Sequence, residues 1–202
     1  RRKGGCMRTI ILITCTLFFS LNATASSNFN LKINNLGIGD SLLSEYSKSK
    51  IKSEIKRNID FYSVYDIDNT FVELFFYSKL KDYEYISFYI KPNDPNYIIY
   101  GLSGLKNYQN KFDKCLIHLD KEIKKFSNYD NLTRYETFEG EHPIDPSGKS
   151  FVIQTFFETQ AREIVELQCA DFDSSVQKNG DNEDYYGIYI FTEEVEDWFA
   201  GY

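Results

Sequence analysis

One segment divides this chain and limits what it can fold into. Between Gln109 and Phe126, the residues Phe112, Cys115, Leu116, Leu119, Ile123 and Phe126 recur at helical spacing on one side, while Lys111, Lys114, Lys121, Lys124 and Lys125 fill the remainder. A helix with a single apolar face must bury that face against another element. The surface available to it lies in the strand-like runs that precede and follow it.

Before the helix, Phe61–Ile67, Phe71–Ser78, Tyr85–Lys91 and Tyr97–Leu105 are rich in β-branched and aromatic residues. Turn signals separate them, at Asp68-Asn69 and at Pro92-Asn93-Asp94-Pro95-Asn96. The pattern predicts a four-stranded antiparallel meander. After the helix, Tyr135–Glu139, Phe151–Thr159, Glu163–Phe172 and Tyr185–Phe191 supply four further strands. Ahead of both blocks, Phe29 to Ile33 alternates apolar and polar residues like a half-buried strand. Gly37-Ile38-Gly39-Asp40-Ser41 then leads into a short helix carrying Leu42, Leu43 and Tyr46, with Asp40 or Ser41 as its cap. A second short helix runs from Ser49 to Arg57, and Glu193 to Tyr202 closes the chain as another, with Val195, Trp198 and Phe199 packing down. The fold class is therefore α+β: antiparallel meanders of about eight strands packed with one long and one or two short helices. The two helix-then-strands units have the form of a diverged two-fold repeat, although no residue-level self-similarity accompanies them.

Met7 to Ala25, MRTIILITCTLFFSLNATA, reads as a secretory signal peptide. Arg8 precedes an apolar run from Ile10 to Leu21, and Ala23-Thr24-Ala25 is the small-x-small pattern that signal peptidase accepts. Cleavage is expected between Ala25 and Ser26, which makes residues 1–25 leader and signal and residues 26–202 a single exported domain, periplasmic or secreted. The apolar run is shorter than the ~20 residues a spanning helix needs, so no membrane span is expected after cleavage. Lys3-Gly4-Gly5 is what a bacterial ribosome-binding sequence encodes when translated, so Met7 is expected to be the start. Cys15 raises the question of lipidation, but Leu12-Ile13-Thr14 lacks the small residue expected immediately before an acylated cysteine.

Charge narrows the partners. Residues 26–202 carry 19 Lys+Arg against 30 Asp+Glu, and the imbalance is concentrated after residue 129, where 4 basic residues face 17 acidic ones. Nucleic-acid binding draws its affinity from basic side chains on phosphates, so no nucleic acid is expected. The acidic part reads either as a solvated surface or as a docking face for a cation or a basic partner.

Two cysteines remain after the leader, Cys115 and Cys169. Cys115 lies on the apolar side of the long helix. In Glu163–Phe172, Cys169 shares a side with Val165 and Leu167, so both thiols point inward. In an oxidising compartment such a pair is expected to form a disulfide. Its loop of roughly 55 residues corresponds to about 4 kcal/mol in the chain-entropy account. The bridge requires Cα atoms about 4.4–6.8 Å apart; at larger separations the two are separate core thiols.

Candidate chemistry is sparse, and no catalytic, cofactor-binding or metal-ligating set emerges. His118 falls on the lysine-bearing side of the helix and reads as solvated, and His142 precedes Pro143 in a loop. The two histidines have no metal-ligand spacing. Gly101-Leu102-Ser103-Gly104 lacks the spacing of a nucleophile elbow, and its small residues are expected to let the helix approach the sheet. Asp171 to Asp184 concentrates oxygen ligands, yet the order of an EF-hand loop is missing: the fifth position is Ser175 and no glycine follows it. A solvated loop is the reading there, with adventitious cation binding as the alternative. The 16 tyrosines stand out more. Nine of them, from Tyr62 to Tyr108, fall in the first meander, too many for one buried face. Some are expected on the outer face, where an aromatic ring with a hydroxyl tip suits protein or sugar contact.

The segments IGDSLLSEYSKSKIK, YEYISFYIKPNDPNYIIYGLSGL, DKCLIHLDKEI, HPIDPSGKS and EIVELQCADF resemble those of small exported proteins of Pelagibacter-type marine bacteria, a likeness that spans nearly all of residues 26–202 and implies no catalytic residue or cofactor. The Gly-x-Gly-Asp-Ser start of a helix followed by strands is also similar to the small outer-membrane assembly proteins of the BamE-like type. The function expected is that of a non-enzymatic exported protein that binds another envelope component through its aromatic sheet face or its acidic C-terminal part. The alternative is a small-molecule or glycan-binding module, or an enzyme whose site is assembled from distant residues. A deep pocket where tyrosines and carboxylates converge would mark the alternative; a flat aromatic patch would mark a protein partner.

Overall fold

The computed structural model describes residues 31–64, 70–78, 80–109, 111–179 and 183–201. The signal segment, its Ala25–Ser26 cleavage point, Cys15, the start of the Phe29–Ile33 run and the Asp68-Asn69 turn lie outside the described residues. Four helices and seven strands follow in the order α1 (Lys48–Val64), β1 (Val72–Tyr77), β2 (Tyr85–Ile90), β3 (Ile99–Asn107), α2 (Phe112–Phe126), β4 (Leu132–Glu141), β5 (Phe151–Thr159), β6 (Ile164–Asp171), α3 (Ser174–Asn179), β7 (Tyr185–Phe191) and α4 (Glu193–Ala200). The class is α+β, with seven strands in place of about eight.

All seven strands join one antiparallel sheet in the order β1-β2-β3-β7-β6-β5-β4. Each half of the chain runs a helix into consecutive hairpin strands, and the two halves meet where their last strands, β3 and β7, pair from Gly101 opposite Phe191 to Asn107 opposite Tyr185. The alternation along each strand then sorts side chains onto two faces. The inner face carries Leu74, Phe76, Ile86, Phe88, Leu102, Tyr186, Ile188, Ile190, Val165 and Leu167, all buried beneath α1 and α2 in one core with Ile51, Ile55, Cys115 and Leu119. Among the described residues, helices cover the outer face at two corners. At one, α4 packs Val195 and Trp198 on Phe71, Tyr89 and Phe191. At the other, Val176 of α3 and Phe172 pack with Val152, Ala170 and Tyr185.

The structure departs from the sequence reading in several places. Phe61–Val64 is the last turn of α1 and not a strand, so the first meander has three strands. The buried spacing of Ile51, Ile55 and Asn58 carries the helix past Arg57 and overrides the strand-favouring composition that follows. Among the described residues Ile33 is in no strand and bridges Leu36 across Asn34 and Asn35, both at positive φ (54° and 64°), the geometry of a tight mirror-image turn. The helix carrying Leu42 is a single 3-10 turn, Leu42–Ser44, capped by Ser41, whose hydroxyl accepts from the Leu43 N–H at 3.2 Å. Asp40 instead accepts from the Gly37 N–H and from Lys32. Gly101 and Gly104 make room for rings and not for the helix: a Cβ at Gly101 would meet Phe191 at 2.8 Å and one at Gly104 would meet Tyr83 at 2.7 Å.

Cys115 and Cys169 form a disulfide with Cα atoms 6.0 Å apart. Both are fully buried between α2 and the inner face of β6, so the bridge ties the helix to the sheet it covers.

Candidate functional site

The outer face of the sheet is where this fold places its unusual polar chemistry. Alternation puts Glu73 (β1), Ser87 (β2), Ser103 (β3), Tyr185 and Tyr189 (β7), Glu166 and Gln168 (β6) and Gln154 (β5) on that one face. Ser87 Oγ donates to Glu73 Oε1 at 2.6 Å and lies 2.7 Å from Ser103 Oγ. Across the sheet, Gln168 Nε2 donates to the hydroxyls of Tyr185 (2.6 Å) and Tyr189 (2.9 Å). Gln154 Nε2 donates to Gln168 Oε1 (3.1 Å) and to Glu166 Oε1 (2.6 Å). Ser103 is the register partner of Tyr189, so the two hydrogen-bonded groups form one polar row over six strands.

Gly187 makes this row reachable. Gln168 stands opposite Gly187, one alternate position from Tyr189, and the Tyr189 ring leans over that glycine, within 2.6 Å of where a Cβ would sit. Only an absent side chain lets the Tyr189 hydroxyl reach Gln168.

Burial dominates the electrostatics of the row. It pushes the carboxyl groups of Glu73 and Glu166 up to about 7, against the bonds from Ser87 and Gln154 that favour the ionised form. Glu196 of α4, itself raised by burial, adds its charge to that of Glu166. Near neutrality each acid is thus held as a partly protonated carboxyl, able to donate as well as accept a hydrogen bond. Ser87 and Ser103 are each 1 % exposed, which places their hydroxyls inside the sheet packing.

Two solvent-facing regions flank the row. Beside the first meander, a cleft of about 800 Å³ runs along the strand ends from β1 to β7, walled by Phe75, Tyr77, Tyr85, Leu105, Phe172 and Tyr185, with Lys50, Glu54 and Arg57 of α1 on its rim. Glu73 and Glu166 do not line it. The tyrosines therefore gather in a concave site while the two perturbed acids sit beside it. At the other end lies β4, none of whose ten residues is buried. Tyr135 and Phe138 are 50 % and 44 % exposed there, and Glu196, Glu136, Glu158 and Glu166 all raise the Tyr135 hydroxyl through their charge, after burial. Arg162 bridges Glu158 at 3.8 Å and Glu193 at 2.9 Å.

The other residues singled out from sequence are accounted for differently. His118 is not simply solvated: its Nδ1 lies 2.7 Å from the Tyr108 hydroxyl, its ring sits 4.3 Å from that of Tyr186, and burial lowers its pKa. Helical periodicity assigns His118 to the wet side of α2, but it lies one turn after buried Cys115, at the margin of the apolar face, where the ring of buried Tyr186 meets it. His142 packs on Phe172, 4.7 Å between ring centroids. In the acidic loop, Asp184 is buried and accepts from the Phe172 N–H and Gln177, Asp173 accepts from Ser175, and residues 180–182 lie outside the described residues. Among the described residues, no three His, Cys, Asp or Glu side chains are grouped to hold a metal ion, and no helix is long and apolar enough to cross a membrane.

Comparison with protein-family models, curated proteins and solved structures finds no match to this chain.

Proposed function

We propose that the protein is an exported, non-enzymatic interaction protein that binds a basic, extended segment of an envelope partner along β4. The observation that carries this reading is the state of that strand. It is ten residues long, ends the sheet, and buries no side chain on either face. A long edge strand exposes a row of backbone N–H and C=O groups, which proteins usually cover or interrupt unless a partner strand completes the sheet. Here the surrounding charge selects the partner. Glu136, Glu139 and Glu141 outnumber Arg134 along β4, and Glu158, Glu166 and Glu196 extend the negative field toward α4. A second copy of β4 would meet like charge, whereas a lysine- or arginine-bearing strand would find complementary charge and two exposed rings, Tyr135 and Phe138.

A fluorescently labelled peptide alternating lysine and valine tests the reading by anisotropy, against a glutamate–valine control. Saturable binding of the basic peptide is expected, weakening with salt and falling at least about tenfold in the Glu136→Lys/Glu139→Lys variant. Equal binding of both peptides, or no change in the double variant, would overturn it. Self-association of the free protein through β4 would do the same.

A further inference from the structure

We propose that the cleft along the ends of β1, β2, β3 and β7 is a second, independent binding site and that its ligand is a neutral saccharide. Phe75 and Tyr77 stand at alternate positions on the outer face of β1, 39 % and 84 % exposed. Tyr85, the register partner of Tyr77 on β2, sets its ring 5.1 Å from that of Tyr77 at an inclination of 45°. Tyr77 ends the edge strand β1 and Tyr85 begins the adjacent β2, and burial in the core cannot explain a Tyr77 ring that is 84 % exposed. An exposed aromatic face accepts the apolar C–H face of a sugar ring, and the tyrosine hydroxyls meet the polar rim of the same ring.

The charges around the cleft decide against other ligand classes. Lys50 and Arg57 stand on its rim together with Glu54 and Glu183, two cations against two anions, and Asn107 adds an uncharged amide. An anionic ligand would meet the two carboxylates, and a cationic one the two bases. A wholly apolar ligand would strip water from all four charges without replacing its hydrogen bonds. A neutral, hydroxyl-rich ligand can bond to donors and acceptors alike. The rim groups are also held in place: Arg57 is ion-paired with Glu54, and the Lys50 ammonium lies 5.1 Å from the ring centroids of both Tyr46 and Phe76. The volume, about 800 Å³, lies in the range of ~300–1,000 Å³ typical of small-ligand sites. Phe75 and Phe76, on opposite faces of β1, both line it, together with Tyr85, Leu105, Asn107 and Tyr185 at the ends of β2, β3 and β7, so the cleft reaches both faces of the sheet along these strand ends.

Titration of the folded protein with neutral tetrasaccharides of glucose (β-1,4, β-1,3 and α-1,4 linked) and of N-acetylglucosamine, followed by calorimetry and by saturation-transfer NMR, tests the proposal. At least one is expected to bind saturably, with magnetisation transferred from aromatic protons. Tyr77→Ala and, separately, Tyr85→Ala are expected to weaken it at least about tenfold while circular dichroism and melting temperature hold. Absence of saturable binding across the set would overturn the proposal, as would undiminished binding in both variants. So would tighter binding of a fatty acid or of a sulfated oligosaccharide at the same site.

Discussion

Cys115, on the buried side of α2, and Cys169, on the inner face of β6, are bonded across a sequence separation of 54 residues. The loop they close runs from the long helix through β4, β5 and β6, so the bridge constrains most of the second half of the sheet in the unfolded chain. The chain-entropy account assigns about 4 kcal/mol to such a loop. Cys169→Ala is therefore expected to lower the unfolding free energy by a few kcal/mol in non-reducing denaturant titrations, and reductant should erase most of the difference. Equal losses with and without reductant would show that Cys169 matters through packing alone.

Gly187 is the position on which the polar row depends. A Cβ there would come within 2.6 Å of the Tyr189 ring, which is held by its hydroxyl bond to Gln168. Gly187→Ala is expected to cost about 1–3 kcal/mol, the usual range for overpacking. If displacement of Tyr189 is the cause, the same substitution in a Tyr189→Leu background should cost much less. Additive losses in that double-mutant cycle would point to the backbone of β7 instead.

Asp145 organises the connection between β4 and β5. Its carboxylate accepts from the N–H groups of Ser147 and Ser150 at 2.9 Å each and from Ser150 Oγ at 2.8 Å, while Gly148 turns the chain at φ 71°. Hydrogen bonds from Ser147 first, then Ser150, hold this carboxyl well below the ordinary range. A lowered carboxyl stabilises the fold at pH values above its unfolded pKa, and that contribution fades as the group is protonated in acid. Asp145→Asn should lower the melting temperature at neutral pH, and the gap to the wild type should narrow on acidification. A gap that stays constant with pH would assign the effect to lost geometry and not to charge.

Legibility in the sequence followed the strength of each local signal. Although α2 begins at Phe112 and not at Gln109, its end and the bounds of β5 and β7 were readable because their apolar spacing is strong. The last turn of α1 was not, because Phe61, Tyr62 and Val64 have strand composition and only the spacing of Ile51 and Ile55 marks the helix. α3, with the sequence SSVQKN, has too little apolar content to show a period. The polar row was invisible for a different reason. Glu73, Ser87, Gln154 and Gln168 each read as an ordinary polar position on an alternating strand, and only the pairing of β3 with β7 brings the Glu73–Ser87 and Gln154–Gln168 groups into one row. Strand order across two halves of a chain is a long-range property that local periodicity does not carry. The disulfide was legible because both cysteines declared their faces within their own elements.

Glu73 and Glu166 contribute a pH dependence opposite in sign to that of Asp145. Both carboxyls are raised by burial from 4.5 to about 7. The folded state therefore holds protons that the unfolded state has already released, between about pH 4.5 and 7. Their contribution is fully present below the unfolded pKa and is lost as pH rises through the folded one, on the order of 3 kcal/mol for each group. Stability measured by denaturant titration should accordingly fall between about pH 5 and 8. Glu73→Gln keeps an acceptor for the Ser87 hydroxyl and cannot ionise, and Glu166→Gln does the same beside Gln154. Each substitution is expected to flatten the slope, and the double variant should be more stable than the wild type at pH values above both carboxyls. An unchanged slope in the double variant would mean that both groups ionise within the fold, with water or movement of Tyr189 and Glu196 relieving the burial.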